Sequence, residues 1–309
     1  MSIIYKYQYL IDDENIHFDY LELNPKAIPL LQYLKRINWS RISQNSEAIH
    51  LIMKNIDRID WFNLSGNPSA IPLLETYSSK INWYMLSSNP AAIGIIREHL
   101  RFEDSLSFAT YMSLDNSNKV SWAQLAKNPK AMPIIKEFIR KYLRYENIID
   151  DELDENSRYG QHFYILWYNI WENSNAFQFL WENHRERIAW QPFSANTSVD
   201  AIKHLRQRIE DEKGMDLNHP DNYNKIDWGK LSRNSSAFDL LNENKDKIHW
   251  DGLCCNTNPK VMKLIEAKFR EEPYRAGDEW GHMRPHEKLY WHGLSRNPAI
   301  FIKKGLNDK

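Results

Sequence analysis

Apolar and polar positions recur along this chain in a unit of about 22 residues, which predicts a helical repeat. An aromatic residue opens each unit, an apolar residue follows three positions later, and Asn stands six positions after the aromatic residue. The clearest copy runs from Ile59 to Leu74, and Ile81 restarts the pattern 22 residues on. Fixed-period self-similarity is typical of a solenoid, in which each unit buries its apolar face against its neighbours.

Ten copies share this register, and we number them one to ten. The opening aromatic residues are Phe18, Trp39, Trp61, Trp83, Trp122, Trp167, Trp190, Trp228, Trp250 and Trp291. Asn is present six positions later in every copy, as Asn24, Asn45, Asn67, Asn89, Asn128, Asn173, Asn196, Asn234, Asn256 and Asn297. Because every copy places them alike, we interpret both residues as structural anchors, with the Trp side chains forming a ladder in the core.

Each unit is predicted to contain a very short first helix, α or 3₁₀, followed by a second helix of two to three turns. A side-chain oxygen that can cap a helix stands directly before the Trp at Asn38, Asp60, Asn82 and Asp227. The anchoring Asn has two possible roles. It either ends the first helix in a left-handed conformation, or it caps the next element with Pro at the first position.

A further proline recurs in the second half of three repeats, at Pro29, Pro72 and Pro133. An established helix would lose a hydrogen bond at this position. Either the Asn-Pro turn is only loosely helical and the real helix begins near this proline, or the helix bends there. Other repeats hold Gly, polar or charged residues at the same position, so we expect it to face water.

Four insertions interrupt the rhythm, at about residues 97–119, 136–164, 203–225 and 266–288. Insertions in repeat arrays map to one edge or face, often the binding face. The candidate partner contacts within them are Arg140, Arg144, Arg270, Arg275 and Trp280. Alternatives that involve no partner stay open. Charged runs usually solvate a face, and the second insertion has an acidic stretch that can neutralise its basic helix. Trp280 can pack back onto the last repeat.

The fold class that follows is an all-α solenoid of about ten short two-helix repeats with four helical or loop insertions. Residues 1–15 are predicted to cap the array, and residues 16–309 to form a single repeat domain. With helix layers about 8–10 Å apart, ten layers would extend roughly 80–100 Å, so we expect an elongated molecule.

Composition narrows the class of partner. The formal net charge of −1 does not provide the broad basic footprint of nucleic-acid-binding proteins, and a nucleic-acid-binding solenoid is our third choice. No stretch reaches the roughly 20 apolar residues of a membrane span, and the first ten residues lack the apolar run of a signal peptide. Adjacent Cys254 and Cys255 cannot cross-link distant parts of the chain. We therefore expect an intracellular protein that is neither secreted nor transmembrane.

Candidate chemistry is sparse. His282 and His286 stand four residues apart, a spacing that places two metal ligands on one helix face. Pro285 between them breaks helical continuity, and no Glu follows His282 as a metalloprotease motif requires. The sequence contains no Gly-rich phosphate loop and no nucleophile elbow. We expect no bound metal, no cofactor and no catalytic activity.

The run from Ile59 to Glu75, with its Trp, Leu-Ser and Asn-Pro-Ser-Ala-Ile segments, resembles repeats in proteins of giant (nucleocytoplasmic large) DNA viruses. The resemblance covers most of the chain and implies no activity. More distantly, the alternation resembles leucine-rich repeat variant solenoids, although this chain has a Trp and lacks a second Pro that the family carries. From the variant solenoids we borrow only the architecture.

The viral resemblance leads to two competing functional hypotheses. In the first, the protein is a non-enzymatic structural scaffold of the virion, such as a minor capsid protein that bridges larger subunits. In the second, it is a soluble adaptor that binds a host or viral protein in the cytoplasm of the infected cell. Both require a protein partner, and the four insertions favour the first slightly.

Overall fold

The structure, a computed structural model, describes residues 18–33, 37–146, 165–217, 219, 224–271 and 291–301. In these ranges the regular elements are α- and 3₁₀-helices, without a β-strand. The helices follow one another in the repeat order and pack against each other. The predicted all-α repeat architecture is therefore confirmed.

The first helix of each repeat is short. The bounds are Phe18–Leu21, Trp39–Gln44, Trp61–Ser65, Trp83–Leu86, Trp122–Lys127, 165–170, Trp190–Phe193, Trp228–Arg233, Trp250–Cys254 and Trp291–Arg296. The four predicted caps are confirmed, since each accepts a backbone N–H three residues on: Asn38, Asp60, Asn82 and Asp227. Ser121 caps the helix of repeat five in the same way. A side-chain cap directly before the aromatic residue explains why these five helices begin at that residue.

The second half of a repeat is a 3₁₀ turn, a helix, or one followed by the other. The 3₁₀ segments that follow the anchoring Asn are Pro25–Tyr33, Ser46–Ala48, Pro68–Ala70, Ser174–Ala176, Pro259–Val261 and Pro298–Phe301. The second helices are Ile49–Met53, Ile71–Thr76, Ile93–Ser105, Met132–Glu146, Phe177–Asn183, Val199–Glu212, Phe238–Glu243 and Met262–Glu271. The chain returns through Ile56–Arg58, Ser78–Lys80, Phe108–Ser113, Asn116–Asn118, Arg185–Arg187 and Lys245–Lys247.

The anchoring Asn caps the element that follows it. Asn67 has φ −82° and ψ 117°, and its side chain accepts the N–H of Ser69. This extended backbone shows that the left-handed alternative is wrong. Pro72 lies in the first turn of a helix that begins at Ile71, where the missing N–H costs nothing, and its exposed side chain confirms that the position faces water.

Three repeat positions form the core, and the Trp position is not the most buried of them. The side chains three positions after the aromatic residue are fully buried: Leu21, Ile42, Leu64, Leu86, Leu125, Ile170, Phe193, Leu231, Leu253 and Leu294. So are the small residues nine positions after it, or eleven in repeats seven and nine: Ala27, Ala48, Ala70, Ala92, Ala131, Ala176, Ala201, Ala237, Val261 and Ile300. A second row, including Ile52, Leu74 and Ile96, lies four positions further on.

The Trp ladder that we expected in the core lies at its margin. Trp122, Trp167 and Trp291 are buried, whereas the other six anchoring tryptophans are partly exposed. Several of these rings pack against a side chain from the end of the second helix, as Trp61 does against Tyr77 with ring centroids 5.3 Å apart. The positions three and nine after the aromatic residue, rather than the indoles of the anchoring tryptophans, therefore fill the centre of the layers.

The chain divides into two compact units. Unit 1 combines Met1–Ala48 with Val199–Lys309, and unit 2 comprises Ile49–Ser198. Within unit 1, the first helix of repeat one packs against that of repeat ten, and their 3₁₀ segments Pro25–Tyr33 and Pro298–Phe301 are also in contact. The expected extended stack of ten layers did not include this contact between its terminal repeats. The predicted cap, residues 1–15, lies outside the described residues.

Candidate functional site

The anchoring Asn connects each repeat to the one before it. In repeat four, Asn89 Nδ2 donates to the carbonyl oxygens of Ser65 at 3.1 Å and Asn67 at 3.0 Å. Its Oδ1 accepts the N–H of Ala91 at 2.9 Å. The side chain is fully buried. All of its hydrogen-bonding groups are thus used, two to hold the preceding repeat and one to cap its own second half.

The same arrangement recurs in both units. Asn128, Asn173, Asn196, Asn256 and Asn297 each donate to two carbonyl oxygens of the preceding repeat, at 2.7 to 3.2 Å. Only Asn has the right length with two donors and an acceptor on one planar group, because Asp has no donor and Ser lacks the second one. The invariance of Asn in the ten copies therefore has a physical reason.

A Ser four positions after the Trp makes a second connection between repeats. Ser65 Oγ donates to the Trp61 carbonyl at 2.8 Å and accepts the N–H of Asn82, in the next repeat, at 2.9 Å. Ser87 and Ser232 accept equivalent N–H groups from the repeats that follow them. In repeat one Glu22 takes this place. Ser recurs at this position along the sequence, but the bond that it makes depends on the repeat that follows.

The first insertion is closed by a buried carboxylate at the end of a long helix. Glu103, on helix Ile93–Ser105, is 1% exposed, and its Oε1 accepts the N–H of Val120 at 2.6 Å where the chain returns to repeat five. His99 lies one turn earlier, with Nε2 3.0 Å from the Asn118 carbonyl oxygen and 3.5 Å from Glu103 Oε1. Its ring stacks on Trp83, with centroids 3.5 Å apart.

The third insertion is closed in the same way. Glu212 Oε1 accepts the N–H of Ile226 at 2.8 Å and the Nε–H of Arg208 at 2.9 Å. Arg208 also donates to the Asn224 carbonyl at 2.8 Å. We call each such basic residue and Glu, with the returning backbone, a clasp. The sequence contains a signal for both clasps, because a basic residue stands four positions before the Glu at matching positions of the two repeats. The signal can be interpreted only when the place where the chain returns is known.

Exposed apolar side chains concentrate in unit 2. Among the described residues, the large apolar side chains that are exposed are Met53, Ile56, Phe62, Tyr77, Tyr84, Phe102, Met112, Ile165, Tyr168 and Val199. All except Val199 belong to unit 2. Three of them, Phe62, Tyr84 and Tyr168, stand at one register position, directly after the Trp. We call these three residues the aromatic stripe.

The two tyrosines of the aromatic stripe are held at their tips by the following repeat. Tyr84 Oη accepts a hydrogen bond from Gln124 Nε2 at 3.1 Å, and Tyr168 Oη donates to Gln191 Oε1 at 2.8 Å. Their exposed fractions are 38% and 41%, and that of Phe62 is 48%. The rings are therefore accessible to a partner while their orientation is fixed within unit 2.

A groove of about 150 Å³ lies between the long helices of the first two insertions, Ile93–Ser105 and Met132–Glu146. Its charged side chains pair across it. Arg97 is 2.8 Å from Glu137, and Lys141 is 3.9 Å from Asp104. Pairing of this kind leaves little net charge to attract a charged ligand.

Two of the five predicted partner contacts have described side chains. Arg140 is exposed on helix Met132–Glu146 of unit 2, and Arg270 is exposed near the end of helix Met262–Glu271 of unit 1. Arg144 also belongs to the first of these helices, but its side chain lies outside the described residues, as do Arg275 and Trp280 entirely.

The described part of the chain contains no assembled site for metal or thiol chemistry. No group of three His, Cys, Asp or Glu side chains there could hold a metal ion, and His282 and His286 lie outside it. Cys254 is buried, and burial raises the pKa of the partly buried Cys255 thiol, although Arg233 and Arg296 oppose that shift. Within the described residues, no helix has both the length and the apolar character needed to cross a membrane.

Comparison with known proteins returned no match. No protein-family model matches the chain, and no curated protein or solved structure matches it either. The resemblance to repeat proteins of giant DNA viruses therefore stays a prediction.

Proposed function

We propose that the protein is a non-enzymatic scaffold for protein–protein interaction, and that the aromatic stripe of unit 2 is its main partner-binding surface. The observation that carries the proposal is the repetition of an exposed aromatic ring at one register position, as Phe62, Tyr84 and Tyr168. Structural needs do not account for it, because the same position holds Gly229 and Asp251 in repeats eight and nine.

The energetics of binding favour such a surface. Aromatic side chains are enriched in interfaces and supply much of the binding free energy when a partner buries them. An ordered ring also loses little conformational freedom on binding. The bonds from Tyr84 to Gln124 and from Tyr168 to Gln191 hold the rings in place beforehand.

A protein fits this surface better than a nucleic acid does. Two of the three basic residues that line the groove of unit 2 are paired with carboxylates, Arg97 with Glu137 and Lys141 with Asp104, and the net charge of the chain is −1. Binding along a phosphate backbone requires several unpaired Lys or Arg side chains in a row. We therefore retain nucleic acid only as an outcome of the test.

The viral resemblance suggests two settings for the partner. A virion scaffold would bind a capsid or other virion protein, whereas a soluble adaptor would bind a host or viral protein in the infected cell. Regular Asn connections such as Asn89 to Asn67 give the stiffness that a structural spacer needs, which is why we place the virion role first.

Site-specific photo-cross-linking tests the proposal. A photoreactive phenylalanine analogue would replace Phe62, Tyr84 or Tyr168 in the full chain, and matched controls would carry it in place of Pro72 or Gln178, which are exposed on second helices of unit 2. In the native source, we expect one protein partner to be captured from the stripe positions and not from the controls. Capture of a capsid protein would support the virion role, and capture of a soluble protein the adaptor role. Equal labelling from the controls, or adducts with nucleic acid, would overturn the proposal.

A further inference from the structure

The contact between repeats one and ten joins the two ends of the array within unit 1. Asn24 Nδ2 lies 3.4 Å from the Ser295 carbonyl oxygen, across 271 positions of sequence. The rings of Tyr20 and His292 pack with centroids 4.5 Å apart. Both contacts use the register of the internal connections, so repeat one occupies the place of the repeat that would follow repeat ten. We call this contact the seam.

The bond that the anchoring Asn makes across the seam is longer than its counterparts between repeats nine and ten. At the seam Asn24 makes one bond, at 3.4 Å. On its other side, repeat one accepts the Asn45 side-chain N–H at Glu22 O, 2.8 Å away, and the Asn38 backbone N–H at Glu22 Oε1. By contrast, Asn297 makes two to repeat nine, at 2.9 and 2.7 Å. Because a long single bond contributes less than two short ones, the anchoring Asn holds the seam less firmly than it holds repeat ten to repeat nine.

The surfaces that meet at the seam have the composition of an internal layer. Leu21 and Ala27 of repeat one, and Leu294 and Ile300 of repeat ten, are fully buried. Opening the seam would expose these apolar side chains together with the side chain of Asn24, which then needs a carbonyl partner. The surface that satisfies all of them is the matching face of another copy of this chain.

We propose that the seam also forms between molecules, with repeat one of one copy packed on repeat ten of a second copy. Such an interface joins two different surfaces and therefore propagates head to tail or closes into a small ring. The intramolecular seam competes through its high effective concentration, so the intermolecular form increases with protein concentration. This assembly uses unit 1 and does not depend on the partner proposed for the aromatic stripe.

Cysteines placed in separate chains detect the intermolecular seam. The native cysteines are first removed from every chain by Cys254→Ser and Cys255→Ala. These replacements are the residues at the same positions of repeats eight and seven, namely Ser232 and Ala195. One chain then carries Tyr20→Cys and the other His292→Cys. The two are mixed, incubated at increasing concentration and treated with a short bifunctional maleimide, and the linked peptides are identified by mass spectrometry.

A pair inside unit 2 provides the matched control. Tyr84→Cys and Gln124→Cys occupy the same register as His292 and Tyr20, one and two positions after the aromatic anchor of adjacent repeats, and the native side chains are 3.1 Å apart. For each pair, a chain with both substitutions shows whether the two positions react within one molecule, and thermal melting shows that it is folded.

We expect the mixed seam chains to give a 20-to-292 product between molecules that rises with concentration and exceeds the control product several-fold. The proposal is overturned if the seam mixture gives no more intermolecular product than the control mixture. It is also overturned if the chain with both seam substitutions fails to cross-link within itself while the control chain does so, because the seam contact would then be absent.

Discussion

The side-chain amide of Asn128 donates to the backbone carbonyl oxygen of Asn89 at 3.0 Å, so that one anchoring Asn binds the backbone of the previous one. Six of the ten anchors donate in this way to the Asn before them: Asn89, Asn128, Asn173, Asn196, Asn256 and Asn297. Within each unit, the result is a line of buried amides that makes these repeats dependent on their predecessors.

Replacing Asn128 by Asp tests this line of amides. Asp keeps the acceptor for the Lys130 N–H but loses both donors and places a charge against two carbonyl oxygens. Each lost bond to a buried carbonyl costs about 1–3 kcal/mol, and more when a charge is buried, so we expect Asn128→Asp to lower the free energy of unfolding by at least about 3 kcal/mol. Urea denaturation measures this. The exposed Asn116→Asp serves as control and should change stability by less than about 0.5 kcal/mol; equal effects at both positions would refute the role of the amide.

The burial pattern makes Leu64 at least as important to stability as the much larger Trp61. Leu64 is fully buried and Trp61 is only partly buried. Truncation of a buried Leu to Ala costs about 2–5 kcal/mol. We expect both Leu64→Ala and Trp61→Ala to lower the melting temperature, with Leu64→Ala lowering it at least as far. Phe62→Ala, at the exposed neighbouring position, is the control. A much larger loss for Trp61→Ala would restore the Trp ladder as the main source of stability.

The clasps predict a local effect of two buried glutamates. Glu103→Ala and Glu212→Ala each remove the acceptor of a backbone N–H, that of Val120 and that of Ile226. An unsatisfied buried N–H costs about 1–3 kcal/mol. We expect faster hydrogen exchange at these two amides, each only in its own variant. The control is Glu98→Ala, an exposed residue on the same helix as Glu103. Unchanged protection of Val120 in Glu103→Ala would contradict the assignment.

The clasp of the first insertion contains His99 and is expected to weaken in acid. The clasp of the third insertion contains no His. Burial lowers the pKa of His99 below its ordinary value of 6.5, against the opposing hydrogen bond to the Asn118 carbonyl. Since the folded pKa is the lower one, the unfolded chain takes up the proton first as the pH falls. The stability contributed by neutral His99 is complete above pH 6.5 and is lost progressively as the pH falls from there to the folded pKa.

Hydrogen exchange at Val120, followed from neutral to mildly acid pH and corrected for intrinsic rates, measures this loss. Exchange at Ile226 is the internal reference, because its clasp contains no His. His99→Gln should flatten the part of the pH dependence that belongs to the imidazole. If the profile of His99→Gln matched that of the unmodified protein, the imidazole would not be the source of the pH dependence.

Measuring the affinity for the partner distinguishes two candidate binding surfaces, the aromatic stripe and the contacts predicted in the insertions. We expect Phe62→Ser with Tyr84→Ser to weaken binding of the captured partner by about 2 kcal/mol or more, as for interface hot spots, with little change in melting temperature because both rings are exposed. Arg275→Ala and Trp280→Ala are the comparison. Loss of binding in that pair, and not in the stripe variant, would move the binding surface to the fourth insertion.

Helix starts and the repeat register were readable from the chain because they depend on neighbours in sequence. Asp60 caps the helix that begins at Trp61 through an N–H only three residues away. The apolar residue at position three, the Asn at position six and the water-facing position of Pro72 follow from the same short-range periodicity. The same pattern is present in each repeat, which is why ten imperfect copies were enough to predict the fold class.

What the anchors bind was decided only by the stacking of the repeats. The partners of Asn89 lie 22 and 24 positions away, and those of Glu103 and Glu212 lie 17 and 14 positions away, where the insertions return to the repeats. Whether an indole is buried depends on how closely the neighbouring layer approaches, and no pattern within one repeat states that distance. The seam between Asn24 and Ser295 is the extreme case, because it joins the two ends of the array. The sequence therefore determined the unit and its register, and the tertiary structure determined the partners, because those depend on the geometry between layers.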